Sequence, residues 1–128
     1  RKKPSALYAE AKDVWHELRD IRSHKKEHFI VFFLDTRNQE MRRETISVGT
    51  LNANLVHPRE VFEPAILHAA AHIIIAHNHP SGNPEPSEED LRVTKRLVDA
   101  AKNIGIEVLD HIVVARDGFL SFKAQGLL

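Results

Sequence analysis

The stretch His72-Ile73-Ile74-Ile75-Ala76-His77-Asn78-His79-Pro80-Ser81-Gly82-Asn83-Pro84-Glu85-Pro86-Ser87-Glu88-Glu89-Asp90 decides the reading of this chain. Ile73 to Ala76 is an unbroken apolar run, β-branched at its three isoleucines and with no polar face to turn toward water. That predicts a central strand over His72–His77, buried on both sides. Such a strand delivers His77 and the residues after it to one end of a sheet. Three prolines and a glycine between Asn78 and Pro86 demand a loop. Ser87 to Asn103 then reads as a helix, with Leu91, Val98 and Ala101 facing inward and Gly105 just past its end.

Working outward, Phe29 to Leu34 is an aromatic and β-branched run that ends at the turn-like Asp35-Thr36-Arg37-Asn38. Met41 to Val48, half polar and closed by Gly49, is its expected hairpin partner. His57-Pro58 opens a second helix whose inner face would be Val61, Phe62, Ala65, Ile66 and Ala69, with a kink at Pro64. Val108 to Val114 predicts another strand, and Arg116-Asp117-Gly118 turns into a short last one, Phe119 to Phe122. Near the N-terminus Leu7, Ala11, Val14, Leu18 and Ile21 recur at helical spacing, with Pro4 and Ser5 at the start. The order of helix, two strands, helix, strand, helix, two strands predicts an α/β fold, a mixed sheet covered by helices.

With 128 residues the chain is expected to form one domain, residues 1–26 supplying an N-terminal helix and connection and residues 27–128 the motif-bearing core. Eighteen basic and 18 acidic side chains cancel, so net charge lends no support to wrapping a nucleic-acid backbone. The absence of cysteine excludes disulfides, iron–sulfur clusters, thiolate zinc and a Cys nucleophile together. Any transition metal must be held by His and carboxylate. No run approaches the ~18 apolar residues of a membrane span and no signal peptide opens the chain, so a soluble, cytoplasmic protein without membrane partners is expected. Arg1 in place of Met suggests an excerpt or processed product, expected to be the C-terminal domain of something longer.

In an extended backbone, residues two apart project to the same side about 6.6 Å apart, so His77 and His79 can present two imidazoles to one ion. Asp90 can be the third ligand. Two neutral imidazoles and one carboxylate leave a zinc ion net positive with an open position, the arrangement that makes water acidic near neutral pH. Ser87 with Asp90 also reads as a helix-capping box, and a histidine pair at a strand end can be merely hydrogen-bonded. Residue types alone leave both readings open.

His77-x-His79, seven residues, Ser87, two residues, Asp90 resembles the motif of the JAMM (MPN+) zinc metalloprotease domain. His77-Asn78-His79-Pro80-Ser81-Gly82 with Pro86-Ser87-x-x-Asp90, His57-Pro58-Arg59-Glu60 upstream and Asp110-His111 downstream is more closely similar to the RadC family, from about Glu27 to Leu128. The resemblance implies a three-layer fold with a curved mixed sheet flanked by helices, related to cytidine deaminases. It implies one Zn2+ ion on His77, His79 and Asp90, with Ser87 helping to hold the carbonyl oxygen or the water. It also implies a glutamate base at the start of a strand after the first helix. Glu27 fits that position, Glu44 is the second candidate, and Glu40 is set aside because it falls in the expected turn.

By that resemblance the expected activity is hydrolysis of a peptide or isopeptide bond in a protein or peptide substrate. The alternative is a module in DNA repair or recombination that acts through protein or DNA contacts, since RadC-like proteins carry a repair label. A zinc deaminase is disfavoured because that chemistry uses Cys ligands. His77-Asn78-His79 spells the name of a nuclease motif whose residues are in fact dispersed, and is a coincidence of letters. His68 and His72 have helical zinc spacing but no Glu between them, and read as packing or surface residues. Asp110 and His111 are candidate supports for a metal ligand, because a metal-bound imidazole needs an acceptor for its other N–H. Arg59 can pair with Glu60 or Glu63 or face a substrate groove, which the loops 52–58 and 78–86 are expected to border. An extended peptide could add to the sheet edge there.

Overall fold

A computed structural model describes residues 7–128. Pro4 and Ser5, the expected start of the first helix, lie outside the described residues. The elements in chain order are α1 (Ala11–Glu17), β1 (His28–Leu34), β2 (Glu40–Val48), α2 (Pro58–Leu67), β3 (His72–Asn78), α3 (Glu88–Ile104), β4 (Glu107–Ala115) and β5 (Gly118–Ser121). The five strands form one mixed sheet in the order β2-β1-β3-β4-β5. Of the neighbouring pairs only β3 and β4 are parallel, joined by the α3 crossover.

The run Ile73–Ala76 is the middle of this sheet, as its lack of a polar face predicts. Its two faces belong to two separate cores. Ile73 and Ile75 join Phe29, Val31 and Phe33 beneath α2 and α3, where Val61, Phe62, Ala65, Val93, Leu97 and Ala101 close over them. Ile74 and Ala76 join Ile30, Phe32, Leu34, Ile112 and Val114 on the other side, under Val14 and Leu18 of the α1 region. Helices on both faces of a sheet make three layers, the expected architecture.

Several details differ from the sequence reading, each for a physical reason. The first helix begins only at Ala11, where Glu10 and Asp13 form a capping box, so Leu7 is not on its face; Leu7 pairs with Gln39 and is 58% exposed. The second helix ends at Leu67. His68 caps it, Ala69 adopts a left-handed φ of 54°, and Ala70 N–H reaches back to Ala65 O in a Schellman-type end. Ile66 and Ala69 therefore face solvent rather than the core, and the helix runs through Pro64. On α3, Leu91 is exposed; the inner stripe is Asp90, Val93, Thr94, Leu97 and Ala101, which includes two polar residues. Glu40 lies in β2 and not in the turn, its carboxylate committed to Tyr8 Oη at 2.6 Å and Arg43 Nε at 2.7 Å.

Among the described residues no helix is long and apolar enough to cross a membrane.

Candidate metal centre

β1 and β3 pair antiparallel with Phe29 opposite His77. The side chains of His77, Ile75 and Ile73 thus point to the same face as Phe29, toward α3. Continuing that register by two residues sets Glu27 opposite His79. In the parallel partner β4, His111 lies beside Ile75 and shares its face, while Asp110 and Ile112 point to the α1 side. Sheet pleating alone thus selects His77, His79 and His111 for one compartment.

Helix α3 supplies the carboxylate. Ser87 is its N-cap: Asp90 N–H donates to Ser87 Oγ at 3.1 Å, and Ser87 N–H donates to Asp90 Oδ2 at 2.7 Å. The same carboxylate then faces both imidazoles, Oδ1 being 3.1 Å from His77 Nε2 and Oδ2 3.0 Å from His79 Nε2. Capping and a ligand-like placement, alternatives in the sequence, are compatible here because the cap orients the acid toward the histidines. The two Nε2 atoms are 2.9 Å apart, and His77, His79 and Asp90 are all buried.

Each imidazole is held from behind. His79 Nδ1 meets Asn83 O at 2.8 Å, so it carries a proton and leaves Nε2 bare. His77 Nδ1 lies 2.7 Å from His111 Nε2, and His111 Nδ1 in turn contacts Thr94 Oγ1. Two imidazole lone pairs and a carboxylate cannot face one another in a buried space without a cation among them. The donor set fits a metal ion, with a proton as its substitute in the metal-free protein. Among the described residues this is the one group of three such side chains close enough to share an ion.

The protonation energetics agree. For Asp90 burial opposes the charge, but hydrogen bonding with the His77 and His79 rings and from the Ser87 N–H outweighs it and holds the carboxyl well below its ordinary range. For His79 burial works against the imidazolium, yet the Asp90 bond and the Asn83 carbonyl raise its pKa above the usual value. Burial above all pushes His111 far below the ordinary imidazole value, so it is neutral.

The remaining predicted residues separate clearly. Glu27 sits just before β1, half-buried, beside Pro80, Gly49 and Thr50 in a cavity of about 390 Å³. Its Oε2 accepts from Leu51 N–H at 2.9 Å, and its charge acts on His79. Glu44 is on the edge strand β2, bonded to Arg42 at 3.1 Å in a cleft shared with Arg59 and Glu63; none of the three clustered residues lines that cleft. Arg59 accordingly faces this charged cleft. Asp110 contacts no candidate ligand. It accepts from Lys123 N–H at 3.0 Å, from Ser121 Oγ and from His111 N–H, and so pins the C-terminal turn under which Phe122 stacks on His111. His68 and His72 do not converge; His72 lies 3.6 Å from Glu107.

Two residues escaped the sequence reading. Asn78, between the histidines, is fully buried on the opposite side of the strand; it accepts from His28 N–H at 2.6 Å and donates to Lys26 O at 3.0 Å and His24 O at 3.3 Å. It clamps the segment that carries Glu27. Thr94 falls one turn after Asp90, and the helical period from Asp90 was the signal that could have found it.

A sheet whose central strand ends in two imidazoles, answered by a carboxylate at the start of the next helix, defines a JAB-type domain with a candidate metal centre. Comparison with known proteins agrees. The family model described as "RadC-like JAB domain" matches residues 8–127, and the chain belongs to the RadC family. A UPF0758 protein of Desulforamulus reducens is 52% identical over 111 residues, covering 87% of this chain and 49% of that protein. A UPF0758 protein of Methanosarcina acetivorans is 49% identical over 108 residues, with 84% and 47% covered. One from Bacillus cereus is 52% identical over 109 residues, with 85% and 48% covered. The chain spans about half the length of the curated relatives it matches.

Proposed function

We propose that this domain is a zinc-dependent hydrolase of the JAMM metallopeptidase type, acting on a peptide or isopeptide bond in a protein or peptide substrate. The observation that carries the reading is the convergence of His77 Nε2, His79 Nε2 and the Asp90 carboxylate at 2.9 to 3.1 Å. Three protein ligands of N and O type leave a coordination position open, as in catalytic rather than structural zinc sites. Bound zinc supplies Lewis acidity that polarises a carbonyl and lowers the pKa of water.

The chain's own residues account for the proton movements. Glu27 Oε2 is occupied by Leu51 N–H, which orients the carboxylate and leaves Oε1 free to take a proton from the attacking water and pass it to the leaving amine. Ser87 Oγ accepts from Asp90 N–H through one lone pair, so its own O–H remains available to donate to the carbonyl oxygen as charge develops there. Ser87 is exposed, as the substrate-facing side of the centre requires.

Cleavage of peptide and isopeptide substrates by the zinc-loaded protein tests the reading. Glu27→Gln is expected to retain zinc and lose turnover by roughly 10²- to 10⁴-fold, the range for a general base. Undiminished cleavage in Glu27→Gln contradicts the role given to that residue, and a wild-type protein that takes up no zinc overturns the reading as a whole.

A further inference from the structure

We propose that Thr94 and His111, neither of them a candidate ligand, are positioning residues that set the proton on His77 so that its Nε2 meets the metal with a lone pair. The inference rests on His77, His79 and Asp90 being ligands, as argued above.

The direction of each hydrogen bond follows from the one before it. Thr94 Oγ1 lies 2.7 Å from Asp90 O, and a carbonyl oxygen can only accept, so the hydroxyl hydrogen is committed there. Toward His111 Nδ1 the hydroxyl then offers only a lone pair, and Nδ1 must carry the hydrogen. His111 is fully buried, its ring stacked on Phe122 at 4.4 Å between ring centroids and edge-on to Phe29 at 6.0 Å, and its ring nitrogens meet only His77 and Thr94. A neutral ring has one N–H, so His111 Nε2 accepts. Its partner, 2.7 Å away, is His77 Nδ1, which must donate. The lone pair of His77 is thereby placed on Nε2, 3.1 Å from Asp90 Oδ1.

The two candidate ligand histidines differ in how much help they need. His79 Nδ1 faces a backbone carbonyl, which admits one orientation of the proton. His77 Nδ1 faces another imidazole, which is indifferent: it can accept or donate. Only the Thr94 hydroxyl resolves the ambiguity, and it does so from one helical turn beyond Asp90, anchored to Asp90's own carbonyl. Without that hydroxyl, His111 is free to hold its proton on Nε2. His77 Nδ1 then becomes an acceptor, and the His77 proton moves to Nε2, where it blocks the ligand position.

Long-range ¹H–¹⁵N correlation spectra of the histidine rings in the metal-free wild-type protein read the assignment directly. Nδ1–H tautomers at both His77 and His111 are expected, and an Nε2–H tautomer at either overturns the proposal. Chelator competition then gives zinc affinity for Thr94→Val and Thr94→Ser, with folding followed by circular dichroism. Thr94→Val is expected to bind zinc about tenfold or more weakly, in the range seen for partners of metal-bound histidines, and to shift His77 toward Nε2–H. Thr94→Ser is expected to keep wild-type affinity and tautomers. Wild-type zinc affinity in Thr94→Val overturns the proposal. If Thr94→Val does not fold, the wild-type spectra decide. A wild-type protein with both tautomers as expected but no zinc affinity would sink the proposed function and leave the relay standing.

Discussion

Asp90→Asn is the most informative single change. Asparagine keeps the shape and an acceptor for Ser87 N–H, so the α3 cap survives; what disappears is the charge facing His77 Nε2 and His79 Nε2. In the metal-free protein this removes the charge-assisted hydrogen bond from His79, worth about 1.5–3 kcal/mol. Unfolding entropy of about 2.1 cal/mol/K per residue over 128 residues makes each kcal/mol worth roughly 4 °C in Tm, so the metal-free variant is expected to melt about 6–12 °C lower. Zinc at about one hundred times its Kd stabilises the wild type by roughly 2.7 kcal/mol, a rise of about 10 °C. Loss of a ligand should cost no less than loss of a ligand's hydrogen-bond partner, up to about 100-fold. At the same zinc concentration the variant then gains only about 0.4 kcal/mol, or 1–2 °C. Thermal melts of both proteins with and without zinc measure all four quantities. A zinc-induced rise in Asp90→Asn equal to that of the wild type would refute Asp90 as a ligand.

The pH dependence should differ with metal. The raised pKa of His79 stabilises the fold below its unfolded value of 6.5 and is lost as pH rises through the folded value, whereas the lowered pKa of Asp90 stabilises above 3.8 and is lost on acidification. The metal-free protein therefore gains most from this pair between those two values, while zinc requires neutral imidazoles and gains with pH, so the Tm difference between loaded and metal-free protein should widen from about pH 5.5 to about pH 8. A constant difference contradicts this. Asn78→Ala removes three hydrogen bonds to the segment before β1 and should cost about 2–3 kcal/mol, lower turnover and leave zinc content unchanged; unaltered stability in urea denaturation would contradict the clamp. Arg43 joins Glu40 and Glu17 at 2.7 and 2.6 Å over the Phe32 ring but is one-third exposed, so Arg43→Met should cost only about 1–2 kcal/mol with zinc binding intact, read by denaturant titration and metal analysis.

Ile73 to Ala76 was legible as a central strand because four consecutive apolar residues leave no face for water, and a core on each face of the sheet follows from it. The histidine pair was legible because strand period two puts His77 and His79 on one side. What the linear pattern concealed depends on tertiary context. Leu91 and Ile66 look like core by residue type, yet a helix turns only one stripe inward, and on α3 that stripe is occupied by the polar Asp90 and Thr94 because the buried histidines opposite are polar too. Ala69 continues the helical spacing of Val61, Phe62, Ala65 and Ile66, but the chain turns sharply there to enter β3. Asp110 and His111, neighbours in sequence, divide between the two faces of β4, so only His111 reaches a candidate ligand.

The central claim, that His77, His79 and Asp90 hold one ion, is tested most directly by an anomalous difference map at the zinc edge from crystals of the zinc-supplemented protein. The account predicts a single strong peak about 2.0–2.2 Å from His77 Nε2, His79 Nε2 and an Asp90 carboxylate oxygen. A map without that peak, or with zinc held by His68 and His72 instead, would contradict it.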